Sequence, residues 1–425
     1  MKLISIDEQN YEIVVIGMGY VGLTYSLHLN NLGYKVIGLE KNNDLIDSIN
    51  NKILPFYEED LESKLSSFIS KKLLKVVNYD DFLSNMSNIP KIYIVTVGTP
   101  IINKKLNTLP LEEVFKFLYK YLNENDCISL RSTVAIGLTS KYCEKFNFNI
   151  RYSFAPERTI EGKAIKELST LPQVFGSNDA DSKLFFNKFF KMTSAEVVEL
   201  SSSDAAELVK LSSNVYRDVI FGFSNELSVI AHNNGIKIKE VIDACNYKYP
   251  RCDIYSSGPV SGPCLSKDSY ILAESIDYKN HDSIILSSRN LNENYAIDII
   301  EKNITNKKNA CILGISFKGS PPTSDTRDSY SIKLFRFLLE NNINVSGYDP
   351  MVFDEDFKKI GIKRENSLED AFKNKDLIII QNNNHIFKRM NIKKLIKKCS
   401  KNITIIDLWS LHLDKTFSQT NYIAL

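Results

Sequence analysis

The sequence predicts an α/β fold in which two doubly wound sheets are joined by a central region built on one long helix. Three stretches carry this expectation. YEIVVIGMGYVGLTYSLHLNNLGYKVIGLE at 11–40 reads as strand, glycine turn, helix and strand, a βαβ unit that implies a parallel sheet. From Ser203 to Asn234-Gly235, apolar residues recur at helical spacing behind a Ser/Asp cluster suited to N-capping. Beyond residue 305, NACILGISF, SYSIKLFRFLLENN and INVSGYDP repeat the strand–helix–strand order. Both ends are therefore Rossmann-like.

The elements follow in order. KIYIVTV (91–97), CISLRST (127–133) and NIRYSFA (149–155) supply further strands to the first sheet. DLIII (376–380) and ITIIDLW (403–409) supply buried strands to the second. The expected division is 1–200 as a dinucleotide-binding domain, 201–300 as a helical connector and dimerisation region, and 301–425 as a second nucleotide-binding domain.

Composition narrows the function. A chain of 425 residues with 43% hydrophobic residues can bury more than one core. The net charge of +2 gives nucleic acid no global electrostatic support as a partner. The short Lys runs KKLLK (71–75) and KKLIKK (393–398) read as solvated helix faces. No apolar run approaches the roughly 18 residues that span a bilayer, and the start lacks the apolar stretch of a signal peptide. The seven cysteines are scattered and never spaced CxxC, which fits a reducing, cytoplasmic setting and neither a disulfide framework nor a structural metal.

Gly17, Gly19 and Gly22 form GxGxxG between a strand and a helix, and Glu40 closes the next strand. In that context the first glycine permits the turn, the second admits a pyrophosphate, and the third lets helix and strand pack closely. Tyr20 and Val21 belong to the same turn and open the helix, whose N-terminal amides and positive dipole end face the phosphates. Glu40 would accept hydrogen bonds from ribose hydroxyls and repel a 2′-phosphate, so the cofactor expected is NAD. VGTP at 97–100, with Thr99 and Pro100, lies where a strand ends; it is either a ligand-facing edge or a plain strand-terminating turn.

GPVSGPCLSKDSYIL at 258–272 is the second informative stretch. Cys264 lies in a loop of Gly, Pro and Ser, with Lys267 and Asp268 close behind. Most cysteines are small buried hydrophobes. This loop instead suits close approach by a substrate, and a neighbouring Lys would raise the small thiolate fraction of a thiol whose ordinary pKa is near ~8.5. Cys264 is therefore a candidate nucleophile.

Taken together, these blocks resemble the UDP-glucose/GDP-mannose dehydrogenase family of nucleotide-sugar 6-dehydrogenases. GMGYVG (17–22), VGTP (97–100), RSTVAIG (131–137), APERTIEGKAIKEL (155–168), AELVKLSSNVYRDVIFGFSNEL (206–227), SGPCLSKD (261–268) and GISFKGSPPTSDTRDS (314–329) occur in the family's order over nearly the whole chain. The resemblance implies two hydride transfers to NAD, without a metal, that turn the C6 alcohol of a UDP-sugar into a carboxylate through a Cys thiohemiacetal and thioester. The acid's usual destination is a polysaccharide or glycoconjugate precursor.

On the same resemblance, Cys264 is the nucleophile, and Lys210 and Asn214 stabilise charge on the reacting oxygen. Asp268 places or deprotonates a water, Glu157 serves thioester hydrolysis, and Thr133 positions water beside the cofactor. Glu157, Arg158, Lys210 and Asn214 contact substrate, and Arg251 reaches the substrate of a neighbouring subunit. Lys318 and Arg327 bind the diphosphate, although Arg327 could instead pair with Asp325 or Asp328. A homodimer through the 203–234 helix is implied.

Two departures stand out. SGPC replaces the family's usual GGSC or GGHC, so Pro263 stiffens the loop and removes one backbone donor. RST replaces EST or KST, which leaves Arg131 without an assigned role. CLSKD points to UDP-glucose 6-dehydrogenases and PERTIEGKAIKEL to the UDP-N-acetylhexosamine branch, toward which the reading leans. The competing readings are a single-step 3-hydroxyacid-type dehydrogenase and a nucleotide-sugar-binding regulator without turnover.

Overall fold

A computed structural model describes residues 2–146, 148–276, 282–400, 402–412 and 420–425. The chain divides into two compact units. One is Met1–Ser213 with Tyr270–Asp277; the other is Asn214–Ser269 with Tyr278–Leu425.

The first unit is built on a twisted sheet whose strands run, in spatial order, Val197–Leu200, Gln173–Gly176, Arg151–Phe154, Cys127–Leu130, Lys91–Val95, Gln9–Ile16, Val36–Leu39 and Leu74–Val77. Neighbours are parallel except Gln173–Gly176 against Arg151–Phe154. Ile4–Ile6 adds an antiparallel hairpin arm to Gln9–Ile16. Chain order reverses between Gln9–Ile16 and Lys91–Val95, which makes the C-terminal ends of those two strands the crevice where such sheets bind ligands. The central strand is apolar on both faces because helices cover both. Ile13 and Val15 enter one core with Leu23, Leu27 and Phe186, while Val14 and Ile16 enter another with Tyr93, Phe115 and Leu130.

The second unit holds an all-parallel sheet in the order Lys363–Arg364, Asn344–Tyr348, Asn309–Leu313, Leu377–Ile380, Thr404–Asp407 and Asn421–Ala424. It has the same doubly wound logic, with its switch between Asn309–Leu313 and Leu377–Ile380. Ala310 and Ile312 face one core, Cys311 and Leu313 the other. The fold class expected from the sequence is thus the one observed.

The long helix runs Ser203–Asn233. At its start Glu207 is buried and accepts from the Gly137 and Thr139 amides and the Thr139 hydroxyl, fastening the helix to the turn that opens Leu138–Lys145. Burial pushes this carboxyl up to about 7, against those hydrogen bonds. The helix ends as expected, with Gly235 at φ +68°. Among the described residues no helix is long and apolar enough to cross a membrane.

Several strands are shorter than their apolar runs. NACILGISF yields a strand only to Leu313, because Gly314 turns at φ +93° and Asp349 captures the Ile315 and Ser316 amides (2.8 and 3.0 Å). CISLRST and KIYIVTV stop at Leu130 and Val95, which frees the residues after them for the site.

Candidate active site

The dinucleotide cradle belongs to the first unit. Gly17 turns at φ +90°, and a Cβ on Gly22 would stand 1.9 Å from the Gly17 carbonyl oxygen, so neither position accepts a side chain. Around Gly19 a Cβ would meet nothing within 4 Å, the open ground a pyrophosphate needs. The Tyr20–Asn31 helix starts there with no side-chain cap, leaving its first amides to a ligand. The residues present fit a dinucleotide.

Glu40 is oriented by three amides: Met18 donates to Oε2 (2.8 Å), Lys41 and Asn42 to Oε1 (2.9 and 3.1 Å). A carboxylate has about four acceptor positions, so one on Oε2 stays open for a ribose hydroxyl. Thr96 donates to the Gly17 carbonyl (2.7 Å), and Thr99 to the Thr133 carbonyl (2.6 Å). VGTP and RST therefore meet at the switch point, and Pro100 is exposed beside them. Tyr20 differs from its motif neighbours. Burial and Glu58, which engages its hydroxyl, raise its pKa, and its ring leans on Phe56. Val21 lies half-buried in the same first turn.

Beside this cradle the structure gives Arg131 a partner that sequence reasoning missed. Its Nη2 donates to Glu157 Oε2 (2.8 Å) and its Nη1 to Gln173 Oε1 (2.9 Å), while its guanidinium carbon lies 4.1 Å from the centre of the Tyr25 ring. Arg131 is 3% exposed and Glu157 8%. The Arg158 and Thr159 amides donate to Glu157 Oε1 (both 2.8 Å). Burial alone would raise the Glu157 carboxyl, but Arg131 and these hydrogen bonds hold it below the ordinary value. A signal did exist. Leu130 and Phe154 are register partners on adjacent parallel strands, so the residues that follow each emerge side by side.

The thiol and its neighbours Asn214, Lys267 and Asp268 belong to the second unit. Cys264 is the exposed cysteine among the described residues, whereas burial pushes Cys127, Cys311 and Cys399 up to about 12 and Cys143 up as well. It does not sit mid-loop. Its carbonyl accepts from the Lys267 and Asp268 amides (3.2 and 3.0 Å), so it opens the Leu265–Ala273 helix. A helix N-terminus favours the thiolate. Lys267, expected to assist the thiol, donates to Asp268 Oδ1 (3.0 Å). Asn214 donates to Asp268 Oδ2 (2.6 Å), which ties the long helix to the cysteine helix. Lys210 lies one turn earlier on the long helix, 9% exposed and with no hydrogen-bond or ion-pair partner among the described residues.

The loop carrying Cys264 is braced from beneath. Arg289 donates to the carbonyls of Val260 (3.0 Å) and Leu265 (3.2 Å), on either side of the cysteine, and to Asp218 Oδ1 (2.8 Å). Ser269 and Asn292 complete the Asp218 shell. Neither residue was singled out from sequence, since an Arg on one helix and an Asp on another show no local pattern. The loop also meets the stretch after Asn309–Leu313. Gly262 lies against the Phe317 ring, Ser261 donates to the Phe317 carbonyl (3.2 Å), and the Gly262 amide to the Asp328 carbonyl (3.0 Å).

Lys318 therefore lies in the same neighbourhood, its ammonium 5.3 Å from the Phe317 ring centre. Arg327 pairs with Asp325, Nη2 to Oδ2 at 2.6 Å, which settles which Asp it meets. Arg251 is exposed and lies on the Tyr249 ring, donating to its hydroxyl (3.0 Å).

A dinucleotide cradle in one doubly wound unit and an exposed, helix-opening thiol in a second place the protein among the dinucleotide-dependent oxidoreductases with two Rossmann-like domains. Comparison with known proteins narrows the class. The NAD binding domain of the UDP-glucose/GDP-mannose dehydrogenase family matches residues 11–194, its central domain 204–294 and its UDP binding domain 311–413. The chain belongs to the UDP-glucose/GDP-mannose dehydrogenase family, and is an oxidoreductase of the NAD-dependent UDP-sugar dehydrogenase type.

It is 29% identical over 411 residues to UDP-N-acetyl-D-mannosamine dehydrogenase of Methanococcus vannielii, covering 93% of this chain and 92% of that one. It is 26% identical over 430 residues to UDP-glucose 6-dehydrogenase of Rickettsia conorii, covering 96% and 98%. The solved structure of UDP-D-ManNAc dehydrogenase from Pyrococcus horikoshii superposes with a TM-score of 0.86 at 25% identity, over 97% of this chain and 98% of that one.

Proposed function

We propose that the protein oxidises the C6 alcohol of a UDP-N-acetylhexosamine to the carboxylate, with Cys264 holding the half-oxidised carbon. The observation that carries this is the exposed Cys264 thiol at a helix N-terminus, beside an Asp268 carboxylate held by Asn214 and Lys267. The sugar follows the relatives named for UDP-N-acetyl-D-mannosamine and the PERTIEGKAIKEL block, with UDP-glucose as the alternative.

NAD, when bound, accepts a hydride at each of the two oxidations. The chain supplies the rest. The alcohol loses its proton as C6 loses the first hydride, and the Lys210 ammonium and the second Asn214 amide hydrogen offset charge on that oxygen. The Cys264 thiolate adds to the resulting aldehyde carbon, and its oxygen takes a proton. Loss of the second hydride from C6, together with the proton on its oxygen, leaves a thioester. Water adds to the thioester carbon, its protons leave through Glu157 or Asp268 with Thr133 positioning it, and the C–S bond breaks to return the thiolate. Alcohol and water thus give one carboxylate, two hydrides and three protons.

Glu157, Arg158, Lys210, Asn214, Lys318 and Arg327 are the substrate contacts in this reading, and Arg251 serves a neighbouring subunit's site. Arg327 would share its guanidinium between Asp325 and a phosphate. The three-part organisation 1–200, 201–300 and 301–425 and a cytoplasmic setting belong to the same proposal. UDP-N-acetylmannosamine and UDP-glucose, each tested with NAD, decide the sugar: acid and NADH from the N-acetylated sugar support it, and acid from UDP-glucose alone overturns that choice.

A homodimer through the long helix is part of this reading. Tyr216, Phe223 and Ile230 recur every seven residues and are 64%, 54% and 52% exposed, an apolar stripe of the kind that a second copy covers. Phe223→Glu is expected to move the protein to monomer mass in light scattering. A variant that stays at dimer mass with unchanged concentration dependence would place the interface elsewhere.

A further inference from the structure

We propose that Arg131 is a positioning residue for the water-dependent half of the reaction, fixing the Glu157 carboxylate in one orientation from the adjacent strand end. This rests on the reading that Glu157 serves thioester hydrolysis, and extends it to a residue to which neither the family pattern nor the spacing gave a role.

The geometry argues for positioning. Arg131 follows Cys127–Leu130, and Glu157 follows the register-paired strand Arg151–Phe154. Three surroundings fix the guanidinium: Gln173 on the next strand at 2.9 Å, the Tyr25 ring beneath it at 4.1 Å, and Glu157 at 2.8 Å. Gln173 is itself anchored, its amide donating to the Val174 carbonyl (2.7 Å). The carboxylate is gripped from both ends, Oε2 by Arg131 and Oε1 by the Arg158 and Thr159 amides. A planar fork held on three sides fixes direction as well as charge. Arg131 also immediately precedes Ser132 and Thr133, whose loop is pinned by Ser132 to the Val97 carbonyl (2.7 Å) and by Thr99 to the Thr133 carbonyl (2.6 Å). One residue thus links the water-positioning loop to the carboxylate.

The charged and titratable groups that bear on Glu157 are Arg131, Tyr25 and His28. Burial raises Tyr25 and lowers His28, so both are neutral at pH 7, and Arg131 is the cation that offsets burial of the carboxylate. With Arg131 present, Glu157 is ionised and able to accept a proton from water down to acid pH. Without it, burial favours the protonated carboxyl, and ionisation needs a higher pH.

The test separates the two halves of the reaction in Arg131→Met, Arg131→Lys and Glu157→Gln. The full-length protein with NAD and UDP-N-acetylmannosamine, or UDP-glucose if that is the sugar turned over, is followed by rapid quench. First-turnover NADH reports the oxidations, and steady-state acid reports hydrolysis. Arg131→Met is expected to slow acid release at neutral pH by roughly 10–100-fold, as loss of an outer orienting group does, and to leave first-turnover NADH nearly unchanged. Its acid-release profile should shift to higher pH and recover there, whereas Glu157→Gln should be slow at every pH. Arg131→Lys should fall between, since an ammonium keeps the charge and loses the fork.

Acid release at the wild-type rate in Arg131→Met overturns the inference. Equal loss of both phases with an unmoved pH profile also overturns it, because it means a role in folding only. Should Arg131→Met fail to fold, Arg131→Lys decides, and an unshifted profile there is fatal. Wild-type acid release in Glu157→Gln would instead remove the reading on which the inference rests.

Discussion

Replacing Cys264 by alanine is expected to lower acid formation by more than about 10⁴-fold, the scale on which removal of a covalent nucleophile acts. Cys264 is exposed and opens a helix, whereas Cys127, Cys143, Cys311 and Cys399 are held as thiols by burial and offer no substitute. NAD affinity should change little, because Gly17, Gly19, Gly22 and Glu40 belong to the other compact unit and depend on no part of the cysteine loop for their backbone geometry. Mass-spectrometric assay of the sugar acid, with NAD titration by nucleotide fluorescence, checks both halves. Acid formed at an undiminished rate would eliminate the covalent route.

The largest loss of stability is expected from Asp218→Ala. Arg289 is 1% exposed and Asp218 0%, and the pair sits under the loop whose carbonyls at Val260 and Leu265 Arg289 also holds. Removing Asp218 takes away the buried partner of Arg289 and leaves it only the part-exposed Glu293 carboxylate at 3.5 Å, and loss of one member of a buried pair costs about 3–5 kcal/mol. The melting temperature of that unit should fall by on the order of 10 °C. Asp218→Asn, whose one amide oxygen can still accept from Arg289 while its amide nitrogen donates to the Ser269 hydroxyl, should lose less. Calorimetry decides, and an unchanged transition in the alanine variant would mean that the brace does not support the fold.

The glycine turn, Glu40, the long helix and the exposed cysteine loop were legible because each is written in one continuous stretch and obeys a local rule. The second sheet was legible for the same reason, from apolar runs separated by an amphipathic helix. Pairing across the fold was not. Arg131 meets Glu157 only because Leu130 and Phe154 share a register, and register is set by the packing of both sheet faces. By spacing alone Lys267 is a partner for the thiol, but the helix that begins at Cys264 turns it onto Asp268. That helix start was itself hidden, since Gly-Pro-Cys reads as loop and the first helical hydrogen bonds come from Lys267 and Asp268. Strand ends were overrun wherever apolar residues continued past a captured amide, as at Ile315 and Ser316 under Asp349.

The most direct measurement of the central claim is a count of reduced cofactor per sugar acid. Purified protein is run to completion with limiting UDP-N-acetylmannosamine or UDP-glucose and excess NAD, and NADH and uronic acid are quantified together. The account predicts two NADH for each acid, with no free aldehyde accumulating. One NADH per product, with the sugar left as the aldehyde, would contradict it.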